Sequence, residues 1–238
     1  MNQKSRIIVA LDVPRLATAL NLVEQVRAKV RGFKVGLEVL MQMIADIGSA
    51  MSAEVAYSCA DMQRELWSRL RESLLMIDPK LNDIPNTVGA ATYQLTRLRP
   101  DLITVHTSAG TQAMRSAVAQ TVEFGSKITG ITVLTSIKDE CGTIFGAPVG
   151  RKVSVLSQMA VDAEVPAIVC SPQEVEGLHN QWPEVIYVTP GVCSADTEHH
   201  DQARVLTPAE AIRNGATYVV VGREITKSDD PAGAAERI

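Results

Sequence analysis

One short stretch of the chain, DPKLNDIPNT at residues 78–87, places three charged side chains within six positions. Asp78 and Lys80 are two residues apart, so on a β-strand their side chains share a face. A carboxylate within a few ångströms favours the charged form of a lysine. Such an ammonium is a poor Schiff-base nucleophile, but it suits proton donation or the stabilisation of a developing carbanion. Because Asp83 follows where the strand has ended, we interpret the group as catalytic rather than as a structural ion-pair network.

Other polar residues stand where apolar runs end along the chain. Buried acids and lysines are costly unless they are paired, so their recurrence at such positions indicates a site. The Gly222-Arg223 pair offers backbone N–H groups and a guanidinium fork, which suit a phosphate. We expect His106 to be a packing or supporting residue. The positions at run ends are Asp12, Lys34, Asp78, Lys80, His106, Thr135-Ser136, Thr189-Pro190-Gly191 and Gly222-Arg223.

The elements that must position these residues are eight short runs rich in Val and Ile. The runs are continuous rather than alternating, which is typical of strands buried on both faces. Amphipathic stretches separate them, and TPAEAIRNG at 207–215 carries a capping box and a proline at its start and a glycine at its end. The runs are residues 7–13, 32–36, 74–78, 102–107, 128–135, 167–171, 185–189 and 218–222.

Eight such units in 238 residues predict a single-domain (β/α)8 barrel over 1–238. The rival is a doubly wound open sheet. That fold normally shows a glycine-rich phosphate loop after its first strand, whereas here the first run ends in ALDVPRL. Barrel active sites lie at the carboxyl ends of the strands, where the polar residues fall.

One unit of the predicted barrel is oversized. Lys34 and Asp78 are 44 positions apart, against 28 between Asp78 and His106. The excess, near 46–72, contains a second helical pattern, ADMQRELWSRLRE. We predict an extra helix between strands 2 and 3, on the outside of the barrel or at a subunit contact.

Composition and charge exclude several classes of function. The net charge is −4 with no basic block, so no nucleic-acid partner is expected. No apolar run is long enough for a membrane span or a signal peptide, which predicts a cytoplasmic protein. Four scattered cysteines predict reduced thiols. His199 and His200, with nearby acids, are interpreted as a solvated loop rather than a metal site.

A series of motifs in order along the chain resembles the orotidine 5′-monophosphate decarboxylase family. The D-x-K-x-x-D-I-P-N-T run is the most specific of them. The others are ALDV (10–13), FKVGLE (33–38), ITVLTS (131–136), VCS (169–171), TPG (189–191), DQARVLTP (201–208), GREI (222–225) and DP (230–231).

The resemblance implies a homodimer that converts orotidine 5′-monophosphate to UMP with no metal or organic cofactor. Lys80 would donate the proton to C6 of the pyrimidine, with Asp78 beside the departing carboxylate. Lys34 would bridge Asp78 and the ribose within a Lys-Asp-Lys-Asp network. Asp83, with Thr87 beside it, would reach the neighbouring subunit's site.

The remaining roles implied by the resemblance concern substrate binding. Asp12 would bind a ribose hydroxyl, and Thr135 would contact the edge of the pyrimidine. Pro190 would line the site. The phosphate would be held by Gln202, Gly222 and Arg223.

The chain also departs from the family pattern. Cys193 stands where a phosphate-contacting arginine is usual, and Asn82 where histidine is common. Pro79 separates Asp78 from Lys80, and because proline lacks a ladder donor we expect the third strand to be frayed or bent there.

Two alternatives to the decarboxylase remain open at this stage. Sugar-phosphate decarboxylases and aldolases of the same barrel superfamily share D-x-K-x-x-D but require Mg²⁺. The second alternative is a non-catalytic nucleotide-binding homologue, which the altered loop at Cys193 would support. A regulatory or scaffold role for the insert is also compatible with the sequence.

Overall fold

A computed structural model describes residues 5–49, 51–137, 140–193 and 206–238 and confirms the predicted (β/α)8 barrel. Eight parallel strands close in chain order, β1 pairing with both β2 and β8. Each predicted run overlaps one strand. The strands are β1 (Ile7–Ala10), β2 (Gly32–Val35), β3 (Leu74–Leu81), β4 (Leu102–His106), β5 (Lys127–Ile131), β6 (Ala167–Val169), β7 (Ile186–Pro190) and β8 (Tyr218–Val221).

Helices connect the strands and cover the outside of the barrel. They are α1 (Leu16–Val26), α2 (Leu37–Gly48), α3 (Ala53–Leu70), α4 (Pro85–Thr96), α5 (Thr111–Ala119), α6 (Cys141–Phe145), α7 (Val149–Asp162), α8 (Val175–Gln181), α9 (Pro208–Arg213), α10 (Arg223–Thr226) and α11 (Pro231–Arg237). Within the described residues, no helix is both long and apolar enough to cross a bilayer.

The core has two layers because successive strand residues face opposite sides of the sheet. Ile7, Val9 and Leu11 pack outward against the helices. Ile8 and Ala10 point inward, where they join a smaller cluster that fills the barrel. The barrel is therefore packed through its interior, and a site opens only at an end.

The predicted start signal of α9 operates as expected. The Thr207 hydroxyl accepts a hydrogen bond from the Glu210 amide (3.3 Å), and the Thr207 amide donates to the Glu210 carboxylate (2.9 Å). This capping box satisfies two backbone donors that the first turn would leave free. After the helix, Gly215 has a φ of +108°, a conformation that other residues adopt only with strain.

The insert between β2 and β3 contains the predicted extra helix, α3, which packs on the outside of the barrel against α1 and α2. Ser52 caps its start by accepting from the Val55 amide at 3.3 Å. Leu66 and Leu70 are fully buried, which contributes roughly 1.5–3 kcal/mol for each side chain. The first turns of α3 are much less covered, since Tyr57 remains 69% exposed.

The register of β3 against β4 shifts around Pro79, where the missing ladder donor predicted a frayed or bent strand. Ile77 pairs with Ile103 and Leu81 with Val105, so four steps along β3 match two along β4. Pro79 lies within this bulge, where a strand accommodates extra residues. The backbone N–H that proline lacks is therefore not needed for strand pairing at this position.

Candidate active site

A cavity of about 190 Å³ opens at the carboxyl ends of the strands. It brings together five of the residues predicted to bind or act on substrate. Most of the remaining wall is apolar and comes from β5 to β8 and the loops that follow. The predicted residues are Lys34, Asp78, Lys80, Thr135 and Pro190, and the others are Met76, Ile131, Val133, Leu134, Val169, Cys170, Val188 and Val220.

The charged groups form one chain of ion pairs across the ends of β1, β2 and β3. Lys34 Nζ lies 3.2 Å from Asp12 Oδ1 and 3.2 Å from Asp78 Oδ2. Lys80 Nζ lies 2.6 Å from the same Asp78 oxygen. Both ammonium groups therefore converge on one carboxylate oxygen, and Asp78 is the centre of the arrangement.

Thr104, on β4, is a member of this cluster that sequence reasoning missed. Its side chain is fully buried, and its hydroxyl donates to Asp78 Oδ1 at 2.8 Å. The same hydroxyl accepts from the Lys80 amide at 3.0 Å. Thr104 thus fixes the carboxylate and the lysine backbone together. The available signal was its spacing, since a residue two before His106 shares a strand face with it.

Replacing Thr104 by valine is expected to lower the free energy of unfolding by about 1–3 kcal/mol, because the partly buried Lys80 amide and the buried Asp78 carboxylate each lose a hydrogen-bond partner. Chemical denaturation measures the change. Thr129 is a matched control, since it pairs in register with Thr104 and is fully buried, but its hydroxyl has no hydrogen-bond partner among the described residues. Thr129→Val should be neutral or stabilising, and equal losses in the two variants would contradict the role given to Thr104.

Lys80 is held in an unusual backbone conformation. Its φ is +53°, in the left-handed region that residues other than glycine seldom occupy. The bulge in β3 and the hydrogen bond from its amide to Thr104 maintain this conformation. Strain of this kind persists where the surrounding structure enforces it, and it clusters at functional sites.

The pKa of Asp78 reflects two opposing effects. Burial of the carboxyl group acts to raise it, but the charges of Lys34 and Lys80 and the hydrogen bonds from Lys80 and Thr104 together outweigh burial. The pKa therefore lies below the ordinary value of 3.8. Asp78 is consequently a carboxylate at neutral pH, although only 5% of the residue is exposed.

His106 ends β4 on the same side as Thr104. Burial of the imidazole and the positive charge of Lys80 lower its pKa below 6.5, against the opposing influence of Asp78. The ring is therefore neutral at neutral pH. This agrees with a supporting role rather than that of a second cation.

Because Lys80 depresses the pKa of His106, Lys80→Ala is expected to raise it. A proton NMR titration of the imidazole resonances measures this shift. Lys127 is exposed at the opposite end of the barrel, so Lys127→Ala should leave the titration unchanged. A His106 pKa that did not move in the Lys80 variant would contradict the proximity of the two side chains.

Asp83 and Thr87 lie apart from the charge cluster of their own chain. Both are exposed, and within the part of the chain that the structure describes the Asp83 carboxylate accepts only a local hydrogen bond, from the Ile84 amide at 2.7 Å. Among the described residues, the ion pairs of the site join Asp12, Lys34, Asp78 and Lys80 without Asp83. Within one chain, the ion pairs therefore run from Asp12 through Lys34 and Asp78 to Lys80.

Two of the residues predicted to hold phosphate, Gly222 and Arg223, follow β8. Gly222 precedes α10, and Arg223 is its first residue. Cys193 lies close enough for the charges of Glu224 and Arg223 to act on it, and burial and Glu224 raise the pKa of its thiol, while Arg223 lowers it. Gln202 lies outside the described residues.

A closed barrel of eight parallel strands, with paired lysines and acids at the strands' carboxyl ends, defines a (β/α)8-barrel enzyme. A family model described as the orotidine 5′-phosphate decarboxylase / HUMPS family matches residues 5–238. The chain belongs to this family.

Individual relatives agree with the family match. Proteins named orotidine 5′-phosphate decarboxylase from Erythrobacter litoralis and Moorella thermoacetica are 37% and 35% identical over 235 and 249 residues. These alignments cover 98% and 100% of this chain and 96% and 92% of the relatives. A crystal structure of orotidine 5′-phosphate decarboxylase from Lactobacillus acidophilus superposes with a TM-score of 0.77 at 27% identity, covering 99% of this chain and 97% of that chain.

Proposed function

We propose that this protein decarboxylates orotidine 5′-monophosphate to UMP without a metal ion or organic cofactor, and that Lys80 delivers the proton to C6. The observation that carries the proposal is the convergence of Lys34 and Lys80 on Asp78 in a cavity with apolar walls. The relatives that match over nearly their whole length carry the name of this activity.

The proposed reaction needs a fixed positive charge more than a nucleophile. Loss of CO2 breaks the bond between C6 and the carboxylate and leaves an electron pair on C6. Lys80 supplies an ammonium 2.6 Å from Asp78, and such a preorganised charge stabilises the developing carbanion. The C6 electron pair then takes a proton from Lys80 Nζ, and the neutral amine regains a proton from solvent.

Asp78 has the central positioning role in this proposal. It holds Lys80 and Lys34 and places a carboxylate beside the substrate's own carboxylate. Its two oxygens are already occupied, Oδ2 by the two lysines and Oδ1 by the Thr104 hydroxyl. Those contacts favour a lysine-centred reaction over the Mg²⁺-dependent chemistry of related sugar-phosphate enzymes.

The proposed substrate matches the division of polarity in the site. Ile131, Val133, Val169 and Val188 line the cavity with apolar groups that suit a flat pyrimidine ring. Thr135 would contact the polar edge of the ring, and Pro190 would pack against it. Asp12 and Lys34 would bind the ribose, while Gly222, Arg223 and Gln202 would hold the phosphate.

We also propose a homodimer in which Asp83 and Thr87 complete the partner's site. Ile84 lies in the same exposed run and is itself 66% exposed, which suits a protein contact. Leu37, Met41 and Ile44 add an exposed apolar stripe at helical spacing on α2.

The proposed activity is tested by incubating the full chain with orotidine 5′-monophosphate and quantifying both products. We expect UMP and CO2 in equal amounts over many turnovers. Tight nucleotide binding with no turnover would contradict the proposal and select the non-catalytic homologue.

A further inference from the structure

A second, larger cavity opens at the opposite end of the barrel, where the strands begin. Its volume is about 540 Å³. Three arginines contribute to its lining: Arg6 precedes β1, Arg31 precedes β2, and Arg213 ends α9. No aspartate or glutamate is among its described lining residues, which is unusual in a chain of net charge −4.

The barrel sheet holds the backbone of this cavity in place. The Arg31 amide donates to the Ile7 carbonyl at 2.8 Å, and the Val219 amide donates to the Arg6 carbonyl at 3.1 Å. Arg6 and Arg31 are therefore anchored on adjacent strands. Their backbones are thus held at the starts of neighbouring strands, and both residues contribute to the lining of the cavity.

The cations of this cavity differ from others at the same end of the barrel. Arg31 also lines a neighbouring groove, in which Arg27 is paired with Glu72, and Lys29 with Glu236. Among the described residues, Arg6 and Arg31 form no ion pair. Arg213 acts on Glu210, one helical turn earlier, whose pKa it helps to lower. The cavity thus concentrates positive charge, and among the described residues Glu210, beside Arg213, is the acid that partly balances it.

We propose that this cavity is a binding site for an anion that carries a diphosphate group. Guanidinium groups bind phosphate oxygens in a bidentate manner. Three arginines carry more positive charge and more donors than a single phosphate group requires. The volume lies within the range of pockets that take small organic ligands. Thr217 and Tyr218 also contribute to the lining. The diphosphate belongs either to a free inorganic anion or to a nucleotide.

The experiment is calorimetric titration of the metal-free full chain with inorganic pyrophosphate, in the presence of saturating UMP to fill the proposed phosphate site at the other end of the barrel. In the Arg31→Gln, Arg213→Gln double variant we expect affinity to fall by about a hundredfold, from the loss of two charge-assisted contacts. Arg151, exposed on α7, gives a matched control, and Arg151→Gln should bind as the wild type does. Arg223→Gln should also retain this binding event, since it lies at the active-site end of the barrel.

The proposal is overturned if the wild type binds no pyrophosphate, if binding survives in the double variant, or if it is lost in Arg223→Gln. Thermal unfolding checks that the double variant is folded, and Arg6→Gln, with an expected loss of about tenfold, is the substitute if it is not. Titration with ATP identifies the source of the anion. Equal affinities indicate recognition of the phosphate chain alone, and at least tenfold tighter ATP binding indicates a nucleotide.

Discussion

Lys80→Ala is expected to lower kcat for decarboxylation by about 10³-fold or more, because the variant would lose both the proposed proton donor and the fixed charge proposed to lie beside C6. In the structure, Lys80 Nζ is 2.6 Å from Asp78 and lies at the wall of the cavity. The proposed substrate contacts at the ribose and phosphate would be retained, so KM should change much less than kcat. Steady-state kinetics with orotidine 5′-monophosphate measures both constants.

The control for this variant is Lys127→Ala, which removes an exposed lysine from the start of β5. It should leave kcat and KM near the wild-type values. Near-normal turnover by Lys80→Ala would rule out the proposed proton donor. A rise in KM with kcat unchanged would assign Lys80 to substrate binding instead.

Mixing two inactive variants is expected to restore activity if Asp83 serves the partner's site. In a mixed dimer of Lys80→Ala and Asp83→Ala chains, one site carries both substitutions and the other carries neither. Random association of equal amounts makes half of the dimers mixed, so total activity should reach about a quarter of the wild-type value. Co-expression with two different tags provides the mixed dimer for assay.

The complementation experiment distinguishes two structural explanations for the isolated position of Asp83. If Asp83 acted within its own chain, each chain of the mixed dimer would carry one defective site and no activity would return. Co-expression of Lys80→Ala with Asp78→Ala is the matched control, because both residues belong to the same in-chain cluster. That pair should stay inactive.

The barrel could be predicted because each strand and its boundaries are recognisable from a short stretch of sequence. The Val- and Ile-rich runs are buried on both faces, and turns and caps such as the Thr207–Glu210 box separate them. Lys34, Asp78 and Lys80 could be placed together for the same reason. Residues at the ends of parallel strands converge at one end of a closed barrel, whatever their separation along the chain.

Thr104 escaped prediction because its importance depends on a partner 26 residues away. A threonine within an apolar strand is ordinary, and only the barrel brings its hydroxyl to Asp78. Pro79 predicted an irregular third strand, but its consequence for Lys80 could not be predicted from the sequence. The structure places it in a two-residue bulge that carries Lys80 into a left-handed conformation, a change of register that no local propensity shows.

The most direct test of the central claim is decarboxylation of orotidine 5′-monophosphate by protein treated with EDTA and assayed in EDTA. The lysine-centred account predicts a kcat equal to that of the untreated enzyme, since Asp78 is engaged by Lys34, Lys80 and Thr104. Loss of turnover in EDTA, with recovery on addition of Mg²⁺, would contradict the account and assign the site to metal-dependent chemistry.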